Sequence, residues 1–352
     1  MSSMTIVSRR TRSIRALLAI AMAVSAFCIA LALPSRAGAT SFLWGVSGHP
    51  LVSYPGVPAQ AQIDLVADLG LGSYRVDVTN LDQIGRLAEL VAKAKARDVQ
   101  ILPILLPPVD LKTMSQDELY KTSYGFAQAF VTRFSGDIRA WELGNELENF
   151  AIIQPCEIRD DGSRYPCSWG PAGGVGPDEY VGARIRKVTA VLRGLSDAVH
   201  AVDPKARRAV GTAGWGHTGA FDRYRDEGVN WEISVWHHYG GNPEWAFKLL
   251  AKFGKPIWVT ELNHPLGSNN GGEEGQAKGL EDAMAMLLKL APVYNVEAAF
   301  VYELLDETYW APNFEAYMGL VQLQRDADGD WTLGNRKIAY QTVRRVIALG
   351  NQ

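Results

Sequence analysis

Glu146 and Glu261 are the residues of this sequence best placed to do chemistry. Each closes or follows an apolar, β-branched or aromatic run, Ile138 to Gly144 and Ile257 to Glu261, and 115 residues separate them. Paired carboxylates facing one another are what glycoside hydrolysis requires. One keeps a proton for the leaving oxygen; the other, ionised, attacks or stabilises the oxocarbenium-like centre. A lone Glu just past a strand is commonly an ordinary loop residue. The pair matters because other strand ends carry the same chemistry: His49, Arg75 and Asp77, Asn145, Trp215 and His217, the run His237-His238-Tyr239, then Tyr302, Glu303, Asp306 and Trp310.

The elements that must position these groups alternate in type eight times from Ser41 onward. Strand candidates are Phe42 to Val46, Ser73 to Val78, Gln100 to Leu105, Ile138 to Gly144, Ala209 to Thr212, Ile233 to Tyr239, Ile257 to Glu261 and Ala298 to Glu303. Between them Val181, Ile185, Val188, Leu192, Leu195 and Val199 follow at spacings of 4, 3, 4, 3 and 4, one face of a helix. Ser115 with Glu118 is a capping-box signature for a second helix, and Lys337 to Leu349 is a last one that closes the ring. Strict βα alternation predicts a parallel sheet, and eight units without a linker predict a single-domain (β/α)₈ TIM barrel over residues 40–352. An open doubly wound sheet is the alternative, but no G-x-G-x-x-G follows the first strand. Residues 147–177 and 308–335 are expected to be loops elaborating the barrel, the first walling one side of the cleft.

Period two puts Val235, His237 and Tyr239 on one strand face, so His237 and Tyr239 can point into the mouth while Trp236 and His238 face away. Trp141 and Trp258 lie within strands and are expected in the core. Trp44, Trp215 and Trp310 follow strand ends, where stacking on a sugar ring competes evenly with packing. Glu142, deeper on the face that carries Glu146, needs a buried partner, for which Arg75 is the candidate. No metal is expected: no H-x-H or H-E-x-x-H occurs, and Asp326-Ala327-Asp328-Gly329-Asp330 continues with Trp331 and Lys337 where a calcium loop needs Gly and Glu.

Trp141-Glu142-Leu143-Gly144-Asn145-Glu146 resembles the strand-four Asn-Glu motif of glycoside hydrolase clan A, the retaining barrel glycosidases, and Pro256-Ile257-Trp258-Val259-Thr260-Glu261 resembles its strand-seven nucleophile motif. His237-His238-Tyr239 and Arg75 match further clan positions, and residues 300–306, 318–321 and 337–340 are similar to the closing segment of family 39 and family 5 members. The resemblance implies that Glu146 is the general acid/base, Glu261 the nucleophile and Asn145 the ligand of the sugar 2-hydroxyl. It also implies that Tyr239 orients Glu261, that Arg75 lowers its pKa, and that Glu146 keeps the higher value of the two. His49, Trp215, His237, Tyr302 and Trp310 complete the expected sugar contacts. Leu147 stands where the clan commonly has proline, and Tyr302 where many members have tryptophan. The rival from another class is a non-catalytic sugar-binding barrel.

Composition and termini fit a secreted or periplasmic enzyme. Arg9, Arg10, Arg12 and Arg15 precede an apolar run from Ala16 to Leu33, and Ala37-Gly38-Ala39 is a signal-peptidase site. The run approaches the length of a membrane anchor, but its small-residue exit favours cleavage after residue 39. Removing residues 1–39 takes away five arginines and no acids, leaving 30 basic against 38 acidic residues and a formal charge of −8. A neutral carbohydrate is then a more natural partner than nucleic acid or another polyanion. Cys28 falls in the leader; Cys156 and Cys167 are expected to form one disulfide that pins the 147–177 insertion. A monomer without cofactor is expected.

Overall fold

A computed structural model describes residues 42–350, so the expected leader over residues 1–39 lies outside the described residues. The chain runs β1 (Leu43–Gly48), α1 (Ala59–Asp68), β2 (Ser73–Val78), α2 (Ile84–Lys95), β3 (Gln100–Leu105), α3 (Gln116–Phe134), β4 (Ala140–Leu143), α4 (Gly182–Val202), β5 (Arg207–Thr212) and α5 (Gly219–Asp226). It continues through β6 (Ile233–His238), α6 (Glu244–Leu250), β7 (Ile257–Leu262), α7 (Gly272–Tyr294), β8 (Val296–Val301), β9 (Val321–Arg325), β10 (Trp331–Arg336) and α8 (Ile338–Gly350). Strands β1 to β8 form a closed parallel barrel in sequence order. Pairing of Leu43 with Ala298 and of Val46 with Val301 closes β1 on β8. This is the expected (β/α)₈ architecture.

Two apolar layers hold it. The larger lies between strands and helices and includes Val46, Leu105, Trp141, Val210 and Val259 with Ile185, Val188, Leu192, Leu195 and Val199 of α4. A smaller one, with Leu102, Ala140, Ala209, Val235, Trp258 and Phe300, fills the inside of the barrel. Gly45 is required there: a Cβ at this position would meet the Phe300 ring at 2.3 Å. The capping box starts α3, with Ser115 N donating to Glu118 Oε2 at 2.8 Å and Glu118 N to Ser115 Oγ at 3.3 Å.

The segment expected to be a loop over 308–335 instead contains the antiparallel hairpin β9–β10, with Trp331 opposite Arg325. Val321 and Leu323 are buried and alternate with more exposed glutamines. Asp326 Oδ1 accepts from the backbone N of Asp328 and Asp330 at 3.0 and 2.9 Å, which makes the acidic tract a tight turn. Cys156 and Cys167 are disulfide-bonded within the insertion after β4. Among the described residues no helix is long and apolar enough to cross a membrane.

Candidate active site

The polar centre begins with a cation placed on the barrel floor. Arg75, on β2, is buried and reaches acceptors on β4, on β7 and in the turn after β4. Its Nε and Nη2 donate to Glu142 of β4 at 2.8 and 2.7 Å, its Nη1 to Glu261 of β7 at 2.9 Å, and Nη2 also to Asn145 Oδ1 at 2.9 Å. Burial pushes the guanidinium down, but its carboxylate partners outweigh this and raise it. Burial likewise pushes Glu142 up, and Arg75 overcomes that to hold it at about 2. Tyr239 Oη donates to Glu261 Oε2 at 2.6 Å, so both oxygens of Glu261 are fixed.

Glu146 arrives differently. Strand β4 ends at Leu143; Gly144 (φ +73°) and then Glu146 itself (φ +49°) turn left-handed. A side chain at such a φ costs roughly 1–3 kcal/mol and persists where the surroundings impose it. The turn swings the Glu146 carboxylate over β6, where Nδ1 of His237 lies 2.7 Å from its Oε1 and 3.3 Å from Glu261 Oε2. One ligand atom from each of Glu146, His237 and Glu261 lies within 4.8 Å of the others. Burial pushes the His237 imidazole down; the charge of Glu261 and hydrogen bonds to Glu142 and Glu146 outweigh it and hold it up at about 10. Burial also raises Glu146, but the hydrogen bond and charge of the His237 imidazolium overcome this and leave it below the ordinary range. His237, rather than burial, thus decides the direction in which the Glu146 carboxyl moves. Residue spacing places His237 in the mouth, but the backbone turn decides that it meets Glu146 as well as Glu261.

A second polar group sits beside Tyr302. His49 Nδ1 lies 2.5 Å from Asp77 Oδ2, its Nε2 3.3 Å from Glu303 Oε2, and Tyr54 Oη donates to the same Glu303 oxygen at 2.5 Å. Burial raises the Glu303 carboxyl to about 8, partly offset by His49. Local spacing argues against a metal, yet strands distant in sequence assemble two groups with cation-sized spacing: Glu146, His237 and Glu261, and His49, Glu303 and Glu307. In both, the donor atoms already meet side chains of the chain itself, Arg75 and Tyr239 in the first and Asp77, Tyr54 and Tyr309 in the second.

Above the carboxylates opens a cavity of about 380 Å³ whose walls include Asn145, Glu146, Glu261, Trp215, Tyr239 and Tyr302. The rest of its wall comes from the loop after β7, at Pro265 and Leu266, and from Phe314, Glu315 and Met318 after β8. Sequence reasoning missed these five; loop residues past a strand end carry no signal of which way they face. The insertion after β4 does not wall the cavity as expected. It buttresses the loop after β5 from behind: Gly219 N donates to Gly174 O at 2.9 Å, and His217 Nδ1 lies 2.9 Å from the buried Glu148. Trp310, expected at the site, lies outside the cavity wall, exposed beside Tyr309. Trp44, Trp141 and Trp258 are buried. The wall after β8 is tied down by buried Lys337, whose Nζ reaches Asp306 at 2.7 Å, Ser268 at 3.0 Å and the Tyr317 carbonyl at 3.2 Å. Burial raises Asp306 to about 6 despite that partner.

No protein-family model matches the sequence, and no curated protein matches it. Among solved structures the chain is similar to a family 39 glycoside hydrolase from the gut symbiont Bacteroides cellulosilyticus, with TM-score 0.59 and 16% identity over 88% of this chain and 64% of that one. It is also similar to a family 1 β-glucosidase from Thermotoga maritima, with TM-score 0.62 and 13% identity over 88% and 98% of the two chains. A third similar structure is the virulence factor SghA from Agrobacterium tumefaciens, with TM-score 0.57 and 13% identity over 88% and 97%. The chain thus spans just under two thirds of the length of the family 39 structure. At these identities the likeness is one of fold.

Proposed function

We propose that the chain is a retaining β-glycosidase, secreted or periplasmic, that acts as a monomer on O-glycosidic bonds of a polysaccharide or oligosaccharide. The observation that carries this is the meeting of Glu146 and Glu261 from β4 and β7 with carboxylate oxygens within 4.8 Å. Oxygens that close suit the ~5–5.5 Å carboxyl separation of retaining enzymes better than the ~6.5–9.5 Å of inverting ones. The shared barrel of a family 39 and a family 1 glycoside hydrolase supports the reading. So does the Cys156–Cys167 bridge for an oxidising compartment.

In the first step a Glu261 oxygen attacks the anomeric carbon, the glycosidic C–O bond breaks, and its oxygen takes a proton from Glu146. In the second Glu146 removes a proton from water, the water oxygen bonds the anomeric carbon, and the ester to Glu261 breaks. Arg75 and Tyr239 hold Glu261 by one oxygen each, ready for attack; Asn145, fixed by Arg75, faces the sugar. A proton-nuclear-magnetic-resonance time course of hydrolysis is expected to show the β-anomer first. Initial α-anomer marks inversion, and binding without turnover marks a sugar-binding barrel.

Glu146 must be protonated to act, and His237 holds it low, so activity lies on the acidic side. His237→Asn removes that cation while Arg75, Glu142 and Glu261, the other charged groups facing this position, remain. The Glu146 carboxyl rises, and the alkaline limb of kcat/KM against pH moves to higher pH. A limb that stays in place or moves down removes His237 as the group that sets it.

A further inference from the structure

Beside the carboxylate cavity is a smaller one of about 170 Å³, bordered by Trp215, Trp236, His238, Tyr239, Asn242 and Trp245. It has less than half the volume of the carboxylate cavity, the scale of one sugar ring rather than a chain. Trp215 and Tyr239 belong to the walls of both cavities, so the two are adjoining compartments of one trough. Nothing in the double displacement uses the second compartment.

Its borders are built to present aromatic faces. Trp215 is 80% exposed at φ +53°, a conformation a bulky residue adopts only where its surroundings impose it. The flanking glycines show how it is imposed. A Cβ on Gly214 would come within 2.1 Å of the His237 carbonyl oxygen, and one on Gly216 within 2.2 Å of that of Gly173. The loop is wedged between the end of β6 and the insertion after β4, with its indole in solvent. Trp245, 44% exposed, stands edge-to-face on buried Trp236 with ring centroids 6.0 Å apart. Asn242, exposed, also lines the compartment, and the one cationic group at its border is the His237 imidazolium. Two exposed indoles suit the apolar faces of a pyranose, and the Asn242 amide suits its hydroxyls.

We propose that this compartment binds one pyranose on the leaving-group side of the cleaved bond, so that the enzyme favours sugar leaving groups over small aromatic ones. The inference rests on the glycosidase reading. The side follows from His237, which borders the compartment and meets Glu146, the residue that protonates the leaving oxygen. The opposite wall, Leu266, Phe314 and Met318, belongs to the segments after β7 and β8.

Binding and turnover separate the inference from the reading beneath it. Glu261→Gln protein is titrated with cellohexaose, laminarihexaose, mannohexaose and xylohexaose, following tryptophan fluorescence. Adding Trp245→Ala is expected to weaken the best-bound hexaose about tenfold or more, and Trp245→Phe, which keeps an aromatic face on Trp236, to recover part of the loss. With Glu261 restored, Trp245→Ala is expected to lower kcat/KM on that hexaose about tenfold relative to its effect on the 4-nitrophenyl β-glycoside of the same sugar. Unchanged affinity, equal losses on both substrates, or no hexaose bound overturns the subsite. Full turnover by Glu261→Gln overturns the glycosidase reading whatever the binding shows.

Discussion

Glu261→Gln is expected to lower kcat on a cleaved glycan by about four orders of magnitude or more, because it removes the atom that bonds the anomeric carbon. The amide nearly matches the carboxylate in shape. Its oxygen can still accept from Arg75 Nη1, which lies 2.9 Å from Glu261 Oε1, so glycan affinity should survive. Glu146→Ala has a different signature. It removes the proton donor but not the nucleophile, so a 4-nitrophenyl leaving group, which needs little protonation, loses far less than a sugar leaving group does. Steady-state kinetics on both substrate types for both variants checks the assignment. A Glu261→Gln enzyme within tenfold of wild type, or a Glu146→Ala enzyme equally poor on both substrates, removes the proposed roles.

Arg75→Leu should cost about 3–5 kcal/mol of stability, the expected effect of leaving one partner of a buried ion pair uncompensated. Arg75 and Glu142 are each about 2% exposed at the side chain, so water does little to screen them. The loss depends on pH. In the native protein Glu142 is held at about 2 against ~4.3 for an unfolded chain; its stabilisation is complete above the unfolded value and fades as pH falls towards 2. In the variant the buried carboxyl keeps only the His237 imidazolium, 4.0 Å away, as a cation; its pKa rises, so the variant loses less stability than the native protein as pH falls. The gap between the two proteins therefore narrows from pH 7 to about pH 3. Urea unfolding at several pH values measures it. The double change Arg75→Leu with Glu142→Leu should restore much of the stability without restoring turnover, since Glu261 and Asn145 still lack their donor. A single-variant loss under 1 kcal/mol would show that the pair is not the support it is taken to be.

The strand pattern was readable because each β-branched run between amphipathic stretches must become a barrel stave. Expected and observed strand limits differ by no more than two residues at any end, the largest shift being from Ala298–Glu303 to Val296–Val301. Glu142 with Arg75 and Tyr239 with Glu261 were also readable, since strand parity alone aims them. The parts that were not readable depend on backbone turns. Parity carries Glu146 straight out of β4, whereas two left-handed residues redirect it to His237, and that contact lowers its carboxyl. Trp310 was taken for a site residue because it follows β8; proximity to a strand end does not fix direction. The β9–β10 hairpin was legible in retrospect, from the alternation at Val321 and Leu323 beside an Asp-rich turn with Gly329.

Lys337 gives the wall after β8 an order of manufacture. Asp306, Ser268 and Tyr317 are all made earlier in the chain, and each waits for the Lys337 ammonium to be joined. A polypeptide emerging from its amino end can pair its early staves while this side of the cleft remains unsettled. The proposed catalytic residues, Glu146 and Glu261, precede the residue that locks the cavity wall, so a nascent chain carries both carboxylates before it carries their finished enclosure.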